Sequence, residues 1–161
     1  MKLTTGFNLL LLAATATVLT LPVLAGEASL FKKDADAVEY RQATFTAIRH
    51  NFGQMRDMAG GKRSYSQTEF QRRADNLAAL AKMPWEAFLP GTDMTKMSGH
   101  NEALPSIWTN NEEFQKLAAN FEQNSEALAA VSKTGDRAKI KQALDKLGKE
   151  SCKGCHKKFK D

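Results

Sequence analysis

Residues 34–59 read DADAVEYRQATFTAIRHNFGQMRDMA. Val38, Arg41, Phe45, Ile48, Phe52 and Met55 recur at alternating three- and four-residue steps, which gathers them on one stripe of a helix. Gly60-Gly61 closes that helix, because glycine accepts the backbone conformation of a helix C-terminus.

The rest of the chain follows the same period. A second helix is expected from SQTE, where Ser66 and Glu69 have capping-box spacing. It carries Phe70, Ala74, Leu77, Leu80 and Ala81 inward and stops before Pro84, which disfavours helix in the residue ahead of it. A third opens near Asn110, with Glu113 in a capping position, and runs to about Ser132 through Phe114, Leu117, Phe121 and Leu128. Gly135 breaks it, and Asp136 caps a fourth with the stripe Ile140, Leu144, Leu147, Ser151 and Cys155. No strand pattern, internal repeat or low-complexity tract separates them. Between the second and third helices lies PWEAFLPGTDMTKMSGHNEALPSIW, a Gly- and Pro-rich stretch whose length marks it as a functional loop. The expectation is an all-α protein, an antiparallel up-down four-helix bundle with a long loop between helices 2 and 3.

The first residues stand apart. Lys2, a long apolar run and the small residues at Val23-Leu24-Ala25 read as a secretory signal over residues 1–25, cleaved after Ala25. The alternative is a retained anchor, but the run is near the lower length limit for spanning a membrane. Residues 26–161 then form one exported domain, long enough for a single core. The formal charge of +5 falls by one with Lys2, leaving a mild excess that is spread rather than massed. Nucleic-acid binding wants a basic stripe and a reader motif, and neither is present. Lys157, Lys158 and Lys160 form the one dense basic cluster and suit the negative end of the last helix.

The tail SCKGCHKKFKD holds both cysteines, Cys152 and Cys155, with His156 next to them. Three readings compete. A redox dithiol belongs at a helix N-terminus, where the dipole lowers the thiol pKa; here a long helix runs into the cysteines from the other side. Structural zinc needs four ligands, and His50 or His100 would have to complete the set. Covalent haem attachment fits directly: two thiols a helical turn apart each add to a vinyl group, and the next imidazole becomes an axial iron ligand. Export agrees with it.

In an up-down bundle the C-terminus of helix four lies beside the N-terminal part of helix one and the long loop. The residues expected to face the haem are therefore Arg41 to Phe45 and the loop aromatics Trp85, Phe88 and Trp108. Arg41 takes a stripe position where an apolar residue is expected, and a haem propionate would answer its buried charge. The alternative is that it snorkels to solvent or pairs with Glu39 or Asp36. Gln42 could bind the same propionate. Phe45 would face the free side of the iron and offers no lone pair. Met55 and Met58 read as packing, and His50 as a surface residue. Met83, Met94, Met97 and His100 belong to the haem end and could reach over it.

The C-terminal CxxCH, AVEYRQATF in helix one, and PWEAFLPGT and LPSIW in the loop together resemble cytochrome c′, the class II c-type cytochromes. The likeness covers essentially all of residues 26–161. It implies a periplasmic, usually homodimeric bundle with one haem c, five-coordinate and high-spin. His156 is then the only protein ligand, Cys152 and Cys155 are the thioether anchors, Arg41 and Gln42 contact propionates, and Glu102 lies near the haem. Six-coordinate relatives carry Met where this chain has Phe45. Two departures stand out: Lys160 replaces an Arg found four residues after the axial His in many members, and the 91–104 loop is longer than usual. The functional expectation is binding of nitric oxide and carbon monoxide, electron transfer with periplasmic redox proteins, or both, without membrane association after cleavage. The rival is a six-coordinate low-spin electron carrier with a loop Met or His as sixth ligand. Enzymatic chemistry of peroxidase type needs a distal acid-base group, which Phe45 does not supply, so no enzyme is expected.

Overall fold

Acidic side chains open the first helix and glycines end it. The computed structural model describes residues 30–161; the expected leader 1–25, its cleavage point and the domain start at Gly26 lie outside the described residues. Helix α1 (Asp34–Ala59) has Asp34 and Asp36 in its first turn, against the positive helix end. Gly60 N–H closes on Arg56 O at 2.8 Å, and Gly61 turns the chain at φ 74°. Helix α2 (Gln67–Leu80) begins where Ser66 Oγ accepts the Glu69 amide at 3.3 Å, the N-terminal half of the expected capping box.

The long link is less irregular than its composition suggests. It folds a single 3-10 turn at Pro84–Ala87 and a short helix α3 (Ser106–Thr109). Helix α4 (Asn111–Ser132) starts one residue later than expected, and the Asn110 side chain makes no capping bond. Glu113, expected in a capping position, instead accepts from Lys158 Nζ at 2.5 Å. Asp136 does cap α5 (Arg137–Lys146), accepting the amides of Ala138 and Lys139 at 3.1 Å each. The fourth rod then widens into a π turn, Leu147–Cys152, and finishes as α6 (Lys153–Phe159).

Helix α1 packs on α2, α2 on α4, α4 on α5 to α6, and α5 returns to α1. Short links at 60–66 and 133–136 make α1/α2 and α4/α5 antiparallel neighbours, and the long link crosses from α2 to α4. The result is the expected four-rod bundle. One buried cluster, including Met55, Met58, Phe70, Leu77, Leu128, Ile140 and Leu144, fills its middle. A second, Ile107, Phe114 and Phe159, lies at the end where the loop and the C-terminus meet. There Leu104 N–H donates to Phe159 O at 3.1 Å and Asp161 N–H to Glu102 O at 3.0 Å, which ties the tail to the loop. Met55 and Met58 are core and His50 is exposed, as read from the stripe; Leu80 is only partly buried. Among the described residues no helix is long and apolar enough to cross a membrane.

Leu77 is fully buried on α2. Leu77→Ala removes its core contacts and should cost ~2–5 kcal/mol; urea unfolding should show a lower midpoint with an unchanged slope.

Candidate cofactor site

The last rod delivers three reactive groups to one place. Cys152 ends the π turn, and Cys155 and His156 fall in α6. All three line a cavity of about 570 Å³. Helix α1 contributes Phe45, Ile48 and Phe52 to its walls, the 3-10 turn Trp85 and the residue after it Phe88, α3 Ile107, and α4 Phe114, Leu117 and Phe121. The rings brace one another. Phe45 meets Trp85 and Phe88 edge-on at 5.9 and 6.3 Å, Trp85 meets Phe114 and Phe121 at 5.9 and 6.1 Å, and Phe114 meets Phe159 at 5.4 Å. Contacts of this geometry hold ring orientation as well as burying area.

Both thiols are free and half-buried. Burial raises the Cys152 thiol above its ordinary value; burial, and then Cys152 itself, pushes Cys155 up to about 11. A redox dithiol needs the opposite shift. His156 is lowered, chiefly by burial and then by Lys160, with Glu102 opposing. Its imidazole is therefore neutral at neutral pH, the form that can ligate a metal. Among the described residues no group of three or more His, Cys, Asp and Glu is placed to hold a metal ion. Two neutral thiols and a neutral imidazole on one wall of a ring-lined cavity, with polar groups at its mouth, fit an amphipathic tetrapyrrole.

The mouth differs in detail from expectation. Arg41 is 3 % exposed and neither snorkels nor pairs with Glu39 or Asp36. Its Nη1 donates to Ala87 O at 3.0 Å and Thr92 Oγ1 at 2.7 Å, and its Nη2 to Thr92 O at 2.5 Å and Asn101 Oδ1 at 3.1 Å. The guanidinium also lies over the Phe88 ring, 4.8 Å from its centre. Burial lowers its pKa to about 10, opposed by Asp93, so it stays charged. Arg41 thus borders the cavity while its fork clamps the long loop. Gln42 Nε2 donates to His100 O. Glu102 accepts from Lys160 Nζ at 2.6 Å, which lowers its pKa.

Trp108, expected to face the cofactor, does not line the cavity. Its Nε1 donates to Phe88 O at 3.1 Å, so it braces the wall from behind while Ile107 takes the inner position. Met83, Met94 and Met97 also stay out of the lining. His100 does border the mouth, with its side chain 82 % exposed and 3.7 Å from Glu102 Oε2. Sequence reading missed Phe52, Phe114, Leu117, Phe121 and Phe159 as walls. Their helical spacing was visible, but it reads the same for a core as for a cofactor box.

Comparison with known proteins gives concordant matches. The pattern that defines the family described as Cytochrome C′ matches residues 36–160. A cytochrome c′ of Rubrivivax gelatinosus is 41 % identical over 132 residues, covering 81 % of this chain and 98 % of that protein. The solved structure of cytochrome c prime from Shewanella frigidimarina shares 44 % identity at a TM-score of 0.76, covering 81 % of this chain and 98 % of its own. A nitric oxide complex of a cytochrome c prime mutant from Alcaligenes xylosoxidans shares 32 % identity at a TM-score of 0.72, covering 81 % and 98 %.

Arg41→Met leaves Ala87 O without its donor and removes one of two donors from Thr92 O and from Asn101 Oδ1, which keep Asn101 Nδ2 and the Ala103 amide respectively. The expected loss of stability is on the order of 3 kcal/mol, with Arg41→Lys only a partial rescue because an ammonium lacks the planar fork; urea unfolding of both variants checks it. Glu102 should also titrate below the ordinary glutamate range. Any stability its pair with Lys160 gives is present above the unfolded-state value and fades as pH falls through the depressed one. Carboxyl chemical shifts in wild type and Lys160→Met measure this, the variant returning toward the ordinary value.

Proposed function

This chain belongs to the cytochrome c′ family, and on that premise we propose that it is a periplasmic haem protein whose iron keeps one face free for nitric oxide and carbon monoxide and also exchanges electrons. The family's cofactor is haem c, and two cysteines are present to attach it. In this reading Cys152 and Cys155 are the thioether anchors and His156 the axial ligand. When bound, the haem supplies a redox-active iron with an open coordination position. The observation that carries the reading is the set of apolar side chains on the α1 and loop walls: Phe45, Ile48, Phe52, Trp85 and Phe88 offer no side-chain lone pair suited to iron, and His100 borders the mouth with its side chain 82 % exposed. Phe45, held between Trp85 and Phe88, keeps water and polar groups from that side. An aromatic and aliphatic wall on that side, with Thr46, Arg49 and His100 as exposed polar neighbours of the cavity, suits nitric oxide and carbon monoxide, which need no hydrogen-bond donor, over oxygen, which gains from one. Phe45, Ile48, Phe52 and Phe88 carry no acid-base group of the kind a peroxidase-type reaction requires; His100 and Glu102 lie at the mouth.

The mouth residues supply the other half of the recognition. Arg41 brings a positive charge to the cavity border, and its Nε–H is outside the four bonds to the loop. Gln42, and Glu102 through Lys160, order the rim around the propionate end. Export through the 1–25 leader, a homodimer and periplasmic redox partners complete the reading; the leader sequence and family membership support them.

Optical titration of the ferrous protein with nitric oxide and carbon monoxide tests it. Wild type should bind both without displacing a protein ligand, and Phe45→Met should slow binding at least tenfold by offering a thioether to the iron. Wild-type binding that first requires release of His100, removed by His100→Ala, would favour the six-coordinate alternative instead.

A further inference from the structure

The fourth rod changes its pitch as it enters the attachment motif. Over Leu147–Cys152 the helix is π-helical, and the Lys153 amide bonds back five residues to Gly148 O. Such turns insert about one extra residue into an α-helix and occur often at functional sites. Here the consequence for direction can be worked out. Ile140 points into the core, 1 % exposed. In an uninterrupted α-helix, at about 100° per residue, Phe159 would lie about 100° and His156 about 160° from that line, toward solvent. One extra residue takes back about 100°, which returns Phe159 to the core side and His156 to roughly 60° from it. Phe159 is in fact 3 % exposed and His156 borders the cavity.

Two contacts hold the wide turn. A side-chain carbon at Gly148 would sit 2.9 Å from Phe52 Cζ, so the ring of a cavity-wall residue rests directly on the backbone there. At the other end Ser151 Oγ, 1 % exposed, donates to Asn120 Oδ1 at 3.0 Å and accepts from Asn124 Nδ2 at 2.9 Å. A buried hydroxyl without partners would be costly, so the α4 amides fix where Ser151 points. We propose that the π turn is a register device: Gly148, Ser151 and Asn124 are positioning residues that rotate His156 onto the cavity beside Cys155 and so set how the imidazole meets the iron. The proposal rests on the haem-binding reading above.

Four variants test it on the exported holoprotein. Deleting the exposed Lys149 should restore a continuous α-helix; the haem-to-chain ratio should fall at least tenfold while far-ultraviolet circular dichroism stays helical. Gly148→Ala should shift the iron–imidazole stretching band in the resonance Raman spectrum of the ferrous protein. Adding Phe52→Leu should cancel most of that shift, with Phe52→Leu alone as the reference. A role in stability alone would leave the band in place. The proposal is overturned if Gly148→Ala leaves the band unmoved, or if the shift or any folding defect persists unchanged with Phe52→Leu. If Lys149 deletion yields no folded protein, the band decides. Wild type lacking haem would instead defeat the haem-binding reading, a separate outcome.

Discussion

A ring-lined hollow facing two thiols and an imidazole is the constraint on which this structure turns. At ~24 cal/mol per Å³ of apolar void, a closed cavity of about 570 Å³ would correspond to on the order of 10 kcal/mol. That is comparable to the whole net stability of a domain, and it is an upper bound because the mouth opens to water. The group that fills the hollow is accordingly part of the fold. Phe114, Phe121 and Trp85 are placed as walls for it, not as partners for one another alone. Ile48 and Phe121 belong both to the main core cluster and to the cavity wall, so the packed middle of the bundle and the cofactor site share side chains.

The long loop is the second element of the site, and Arg41 connects it to the first. A charged residue on an otherwise apolar stripe suggests a buried anion, and the cavity border is where one would lie. The structure adds a role that a single helix cannot reveal: the guanidinium fork gathers Ala87, Thr92 and Asn101 from three points of the loop. The same side chain therefore closes the wall and charges the mouth. The basic tail is similarly committed. Lys158 and Lys160 reach Glu113 and Glu102 rather than merely soothing a helix end.

Much of this was legible in the sequence, for reasons that differ by element. The helices were readable because Ile48, Phe70, Leu128 and Ile140 sit on periodic stripes, and Ser66, Asp136 and the Gly60-Gly61 pair punctuate them. The attachment motif was readable because Cys152, Cys155 and His156 are local, so their chemistry needs no tertiary information. Trp108 was misplaced because one turn of helix at 106–109 decides whether it or Ile107 points inward, and a Pro-led segment of that length has no period to read. The π turn left a trace that went unread. Leu147, Ser151, Cys155 and Phe159 are spaced by four, and repeated four-residue steps drift by about 40° each on an α-helix. Keeping all of them inward requires a wider turn. The loop contacts of Arg41, Gln42 and Glu102 join residues distant in the chain, and no local pattern encodes them.

The site thus combines two free thiols, a neutral imidazole and walls of aromatic side chains. The most direct test of that combination is the electron paramagnetic resonance spectrum of the purified ferric protein. The expected result is a high-spin haem signal from iron with a single axial nitrogen ligand. A low-spin signal, showing a second ligand drawn from the protein, or the absence of a haem signal altogether, would contradict it.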